Sequence, residues 1–243
     1  MKPRNVEHPV AQAAYYTDTA FNYDRVHVNS GDEHALALSH AIHLMRVHGV
    51  QRILDVGAGT GRAIEGFLEA GFEVCGIEPV QALIDKAVQK GIPTDVIRQG
   101  HGQTLPFADH SFDAVCEFGV LHHVKDPRPV ISEMLRVSRR AIFLSDTNRF
   151  GRAGLPARLA KVLFWKMKLW PLVYFLWTRG KRCDISDCDG IAYSYSVYDS
   201  LEQIEAWADR VLLIPTKVEG VRLRSWLNPL LTSSHVLLCG FKE

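Results

Sequence analysis

Three alternating glycines, a carboxylate just before them and another well after them carry the clearest chemistry in this 243-residue chain. In Ile53-Leu54-Asp55-Val56-Gly57-Ala58-Gly59-Thr60-Gly61 an apolar run stops at a glycine turn, and the amphipathic stretch from Arg62 to Ala70 begins at once. Backbone N–H groups at the helix start then face whatever lies over the turn. A second apolar run, Val74-Cys75-Gly76-Ile77-Glu78, closes on a carboxylate 23 positions after Asp55. In a strand–helix–strand unit an acid at that place accepts hydrogen bonds from ribose hydroxyls. The implied ligand is a nucleoside-bearing cofactor. The spacing Gly57-x-Gly59-x-Gly61 departs from the Gly-x-Gly-x-x-Gly of dinucleotide sites, which disfavours an NAD(P)-dependent oxidoreductase.

Further candidates follow a strand-like run, Phe112 to Glu117, whose end lies near the carboxyl edge of a sheet. Glu117 is either a solvated strand end or a contact for a ligand. His122 and His123 are either packing groups or general bases, and a positioned base contributes typically about 10²- to 10⁴-fold in rate. Cys183 and Cys188, with Asp184, Asp187 and Asp189 nearby, give a Cys-x₄-Cys spacing without a second pair, a poor zinc pattern, and no metal site is expected.

The elements that must position these groups can be read from periodicity. A helix over residues 32–48 feeds the first strand. Val80 to Lys90 is a second crossover helix, stopped by Gly91 and Pro93. Asp95 to Arg98 is the third strand, Phe112 to Glu117 the fourth, Pro129 to Val137 a helix and Ala141 to Ser145 the fifth strand. Alternation of this kind builds an α/β, doubly wound, mostly parallel sheet. It breaks at Asn148, and no strand is expected until about Ser200. Residues 149–182 hold nine Lys or Arg and no Asp or Glu, interleaved with Phe150, Phe164, Trp165, Trp170, Tyr174, Phe175 and Trp177. A helix over Ser200 to Arg210 and strands at Val211 to Lys217 and His235 to Phe241 complete the pattern, with Leu223 to Thr232 between the last two.

The glycine turn with Asp55 ahead of it resembles motif I of the class I S-adenosylmethionine (SAM) methyltransferases. Thr104 to Val124, with Leu105-Pro106-Phe107, Ser111-Phe112-Asp113 and Val120-Leu121-His122-His123-Val124, is similar to a block of the branch that includes ubiquinone/menaquinone C-methyltransferases. The resemblance covers about residues 50–147. It implies a Rossmann-like seven-stranded sheet with one antiparallel strand, and SAM as cofactor with S-adenosylhomocysteine (SAH) as product. By that resemblance Gly57, Ala58, Gly59 and Gly61 lie against the methionine and ribose, and Asp55 supports the amino-acid end. Glu78, followed by Pro79, binds the ribose. His101 and Gly102 lie near the adenine, His101 standing where relatives usually have Asp. From their place at the end of the fourth strand and not from the resemblance, Glu117 touches the amino group or orients the acceptor, and His122 and His123 are the catalytic candidates; in the family the His-His pair is more a pattern of fold than an established catalytic pair. The implied whole is one domain over 1–243, with a cap over 1–48 and a mainly helical lid inserted over about 149–200.

A formal net charge of +1, 23% charged and 47% hydrophobic residues predict no general attraction to nucleic acid. The lack of an Asn-Pro-Pro-Tyr-like tetrad after the fourth strand also speaks against an RNA acceptor. The five scattered cysteines fit a reducing cytoplasm. No secretion signal or membrane-spanning run is expected. The expected partner is a small-molecule methyl acceptor, partly apolar, with an O, N or C nucleophile. Readings of the basic aromatic segment stay open: packed helices with solvated charges, a lid over the acceptor, an Arg site for an acidic group, or a surface lying at a membrane interface. A non-catalytic or membrane-associated binding protein of the same fold is the main alternative. Oligomeric state is not legible.

Overall fold

The computed structural model describes residues 8–29, 31–186, 189–218 and 229–243. Apolar runs become strands β1 (Arg52–Val56), β2 (Glu73–Glu78), β3 (Ile97–Gln99), β4 (Phe112–Phe118) and β5 (Ser138–Thr147). Around them lie α1 (His8–Thr19), α2 (Tyr23–His27), α3 (Glu33–Val47), α4 (Arg62–Glu69), α5 (Gln81–Gln89) and α6 (Arg128–Val137). Beyond β5 come α7 (Leu155–Lys166), α8 (Trp170–Trp177), β6 (Asp184–Ser186), β7 (Gly190–Ala192), α9 (Leu201–Glu205), β8 (Arg210–Val218) and β9 (Ser233–Phe241).

Seven strands form one sheet in the order β3-β2-β1-β4-β5-β9-β8, with β9 antiparallel to both its neighbours. This is the doubly wound, mostly parallel sheet of the class I methyltransferase fold. Central strands are buried on both faces and therefore read as continuous apolar runs. The pleat sends Ile53 to one core layer, with Ile64, Phe67 and Phe143, and its neighbour Leu54 to the other, with Phe112, Met134 and Ile142. Strand order reverses at the β1–β4 pair, where Asp55 stands beside Cys116. The crevice outside the carboxyl ends of these two strands is where ligands bind in such sheets.

Two expectations past β5 need correction. A hairpin, β6 with β7, lies in the segment expected to hold no strand. It has only three residues in each strand, so periodicity could not reveal it; Gly190, at a φ of 67°, backs onto Gln12 and Tyr15. The helix expected over Ser200 to Arg210 ends at Glu205, because Asp209 N–H donates to the Phe241 carbonyl at 2.8 Å and draws the chain into the β9 ladder. Most of the segment from Leu223 to Thr232, and Asp187 and Cys188, lie outside the described residues. Cys183 is a buried free thiol.

The segment that follows β5 is anchored at its root. The Asn148 side chain donates to the Leu230 and Ser233 carbonyls, both at 2.8 Å, and accepts from Phe150 N–H. Arg149 is buried, ion-paired to Asp199 and flanked by the Phe150 and Trp170 rings.

Candidate active site

The turn after β1 holds its shape through glycine. Gly57, Gly59 and Gly61 all have positive φ, at 79°, 55° and 85°. A Cβ on Gly57 would sit 2.4 Å from Val120 Cγ2, so only glycine lets the β1 and β4 ends approach there. Glu78 braces the same turn: Oε2 accepts from Gly59 N–H and Oε1 from Val80 N–H, each at 2.9 Å. Burial pushes its carboxyl up to about 7, against the pull of those two N–H groups. Burial likewise raises Asp55 to about 7, with Arg62 acting the other way.

Over this turn lies a cavity of about 400 Å3, walled by Gly57, Glu78, Pro79, His101 and Gly102 from the sheet side. Its roof is Gln12, Ala13 and Tyr16 of α1 with Tyr23 of α2. The size suits a nucleoside cofactor, since ligand sites run from about 300 to 1,000 Å3. Glu117 is fully buried behind it; Oε2 accepts from Val120 N–H at 2.9 Å, while Oε1 has no hydrogen-bond partner among the described residues. Burial, helped by the nearby Asp146 charge, raises its carboxyl well above the usual range.

A second cavity, about 680 Å3, adjoins the first, and Tyr16, Tyr23, Phe118, Gly119, His123 and Tyr193 line both. Its remaining walls are mostly charged. Arg62 pairs with Asp32, Lys217 with Glu33 and Arg149 with Asp199. Arg152 and Lys161 meet no carboxylate among the described residues: Arg152 reaches His235 Nε2 at 3.2 Å, and Lys161 Nζ donates to the Arg149 and Arg152 carbonyls at 3.0 and 3.1 Å.

The two histidines sit at this seam. His122 lies between two carboxylates, with Nδ1 2.8 Å from Asp146 Oδ1 and Nε2 3.4 Å from Asp189 Oδ2. Burial opposes its charge, but the Asp146 charge and the bonds to both carboxylates outweigh it and raise His122 to about 10. The ring is therefore an imidazolium at neutral pH and holds a proton it would need to shed before acting as a base. Its partner Asp146 is held down to about 2 by His122 and a hydrogen bond from Thr147 N–H, although burial works the other way. His123 Nδ1 donates to the Ile191 carbonyl at 2.7 Å, and Nε2 lies 3.0 Å from the Tyr16 hydroxyl and 3.3 Å from Asp189 Oδ1. His122, His123 and Asp189 bring three ligand-type atoms within 4.8 Å of one another. Within the trio each Asp189 oxygen faces one ring, Oδ2 that of His122 at 3.4 Å and Oδ1 that of His123 at 3.3 Å.

Of the residues singled out in the sequence, Gly57, Glu78, Pro79, His101, Gly102 and His123 wall the first cavity, and His122 and His123 the second. Asp55, Ala58, Gly59, Gly61 and Glu117 stand behind those walls rather than on them. Asp55 faces the Cys116 thiol at 3.8 Å. Sequence reasoning missed Asp146 and Asp189 as partners of the histidines, and gave Tyr16 and Tyr23 only as part of a cap. The signal for Asp146 was available: a carboxylate directly after the apolar run of β5, at the sheet edge where ligands bind. Asp189-Gly190 was a visible turn signal.

Comparison with known proteins agrees with the fold. Residues 54–143 match the family model described as "Methyltransferase domain". A demethylmenaquinone methyltransferase of Renibacterium salmoninarum is 38% identical over 89 residues, covering 37% of each chain. That of Paenarthrobacter aurescens is 34% identical over 133 residues, covering 54% of this chain and 52% of the relative. The chain thus spans about half or less of the length of these curated relatives. In fold, magnesium protoporphyrin IX methyltransferase of Synechocystis, solved with bound SAH, superposes with a TM-score of 0.60 at 15% identity, over 98% of this chain and all of the other.

Proposed function

We propose, from the match of residues 54–143 to the model described as "Methyltransferase domain", that this protein is a SAM-dependent methyltransferase that moves the methyl group of SAM to a nucleophilic atom of a small molecule. The reading treats 1–243 as one domain, with 1–48 as cap and about 149–200 as lid. The observation that carries it is the junction of two unlike cavities at His123: one over the glycine turn and Glu78, the other charged and closed by the lid.

SAM fits the first cavity. Gly57 leaves room where a side chain would collide, Glu78 has lone pairs beyond the two that hold backbone N–H groups, and Glu117 Oε1 lacks a donor among the described residues. Glu78 would take the ribose hydroxyls, and His101 and Gly102 would flank the adenine. Asp55 and Glu117 would act from behind the wall on the amino-acid end. Bound SAM would supply a methyl group on a cationic sulfur, already a good leaving group, so the protein chiefly aligns the reactants. Such orientation supplies about 7 to 11 kcal/mol in favourable intramolecular cases.

We assign proton acceptance from the acceptor to His123 by way of Tyr16: the acceptor's proton would pass to the Tyr16 oxygen as the Tyr16 hydroxyl gives its own to His123 Nε2, 3.0 Å away. To His122 we assign a positioning role, as a fixed cation between Asp146 and Asp189. Arg152 and Lys161, lacking acidic partners, favour an acceptor with an anionic group next to its nucleophilic O or N; aromatic lid residues leave room for an apolar portion. The scattered cysteines support a reducing, cytoplasmic setting.

Calorimetry with SAM and SAH, followed by a mass-spectrometric screen of acidic small molecules with isotopically labelled SAM, tests this reading. A labelled product carrying one methyl group is the expected result. Thermal stabilisation by NAD but not by SAH would overturn it.

A further inference from the structure

The helices α7 and α8 carry large apolar side chains that the domain leaves in water. Leu163 and Met167, one turn apart at the end of α7, are 57% and 55% exposed, and Leu172, Leu176 and Trp177 of α8 are 56%, 66% and 69% exposed. Single exposed leucines are ordinary, but a helical hairpin with this density is the kind of patch that marks an interaction site. Exposed cations frame it, among them Lys168, Lys181 and Arg182, and no acid occurs in residues 149–182.

We infer that the α7–α8 hairpin docks this protein on the surface of an anionic phospholipid bilayer. The excess of positive charge is local, since the whole chain carries only +1. Apolar side chains flanked by Lys and Arg suit the acyl–headgroup boundary, into which interfacial helices sink about 5–10 Å. A second copy is a poorer occupant, because face-to-face pairing would oppose two sets of cations without an acid between them. Spanning is not an option: α7 has 12 residues and α8 has 8, and no described helix is long and apolar enough to cross a membrane. A further cavity lined by Trp165, Trp170 and Phe175 lies against this hairpin and shares Arg149, Tyr193 and Ser194 with the charged cavity. A docked molecule would thus present that passage toward the lipid. The docking inference itself does not depend on the methyl-transfer reading.

Co-sedimentation of the full chain with vesicles of phosphatidylcholine alone, or of phosphatidylcholine mixed with phosphatidylglycerol, tests it. Binding to mixed vesicles is expected to exceed binding to neutral ones by about tenfold or more and to weaken with salt. Leu176→Glu with Trp177→Glu should abolish sedimentation, and Lys181→Gln with Arg182→Gln should weaken it by about 25-fold, at roughly fivefold per cation. SAH affinity and circular dichroism should stay unchanged in both variants. Equal binding to both vesicle types, no binding to either, or a dimer in solution that Leu176→Glu with Trp177→Glu dissolves would overturn the inference.

Discussion

Glu78, at the end of β2, holds the N–H of Gly59 at 2.9 Å across the first crossover, so the proposed ribose-binding carboxylate also sets the glycine turn. One side chain thus joins the two ends of the unit that receives the cofactor. Replacing Glu78 by Ala should weaken SAM binding by about 2–3 kcal/mol, through loss of charge-assisted hydrogen bonds. Titration calorimetry reads this directly. Unchanged affinity would remove Glu78 from the site.

Because burial lifts Glu78 and Asp55 to about 7, cofactor affinity should depend on pH near neutrality. The free protein carries protons there, and the carboxylate form is the one that accepts ribose hydroxyls. Lowering the pH below 7 must then cost affinity, by up to about tenfold per pH unit for a single group. The dependence should flatten in Glu78→Gln, measured between pH 6 and pH 8 as about the useful range.

Gly57→Ala should destabilise the fold. The added Cβ meets Val120 Cγ2 at 2.4 Å, and the φ of 79° is strained for alanine. Backbone strain of this kind costs about 1–3 kcal/mol. Trimming Val120 to Ala in the same chain should recover only the steric part in thermal melts.

The His122–Asp146 pair should dominate the alkaline side of the stability profile. His122 is raised to about 10, so its stabilisation is complete below the ordinary histidine value of about 6.5 and disappears as pH rises through 10. Proton NMR should find this imidazolium still charged at neutral pH. Asp146→Asn should cost up to about 3–5 kcal/mol, since it leaves a buried cation with only the half-exposed Asp189, at 3.4 Å, as its partner.

Much of this was legible because the sheet is written in local patterns. Apolar runs at β1, β2 and β4, the glycine turn and the Gly91–Pro93 stop each fix an element within a few residues. Glu78 could be placed because a strand–helix–strand unit puts its second strand end beside the first turn. His122 was a different case. Its protonation is set by Asp146, 24 positions later, and by Asp189, on a hairpin too short to show a period. The same holds for Tyr16, whose place against His123 depends on α1 folding back over the sheet edge.

Gln12 lies within 3.2 Å of the His123 ring and also grips the β6–β7 hairpin, donating to the Asp189 carbonyl at 3.1 Å and accepting from Ile191 N–H at 2.6 Å. One amide thus fastens the roof of the first cavity to the hairpin beside the second. On the proposed reading neither part would swing wide while the other stayed latched, so admission of the two reactants would be a shared event and discharge of the spent donor would be tied to release of the product.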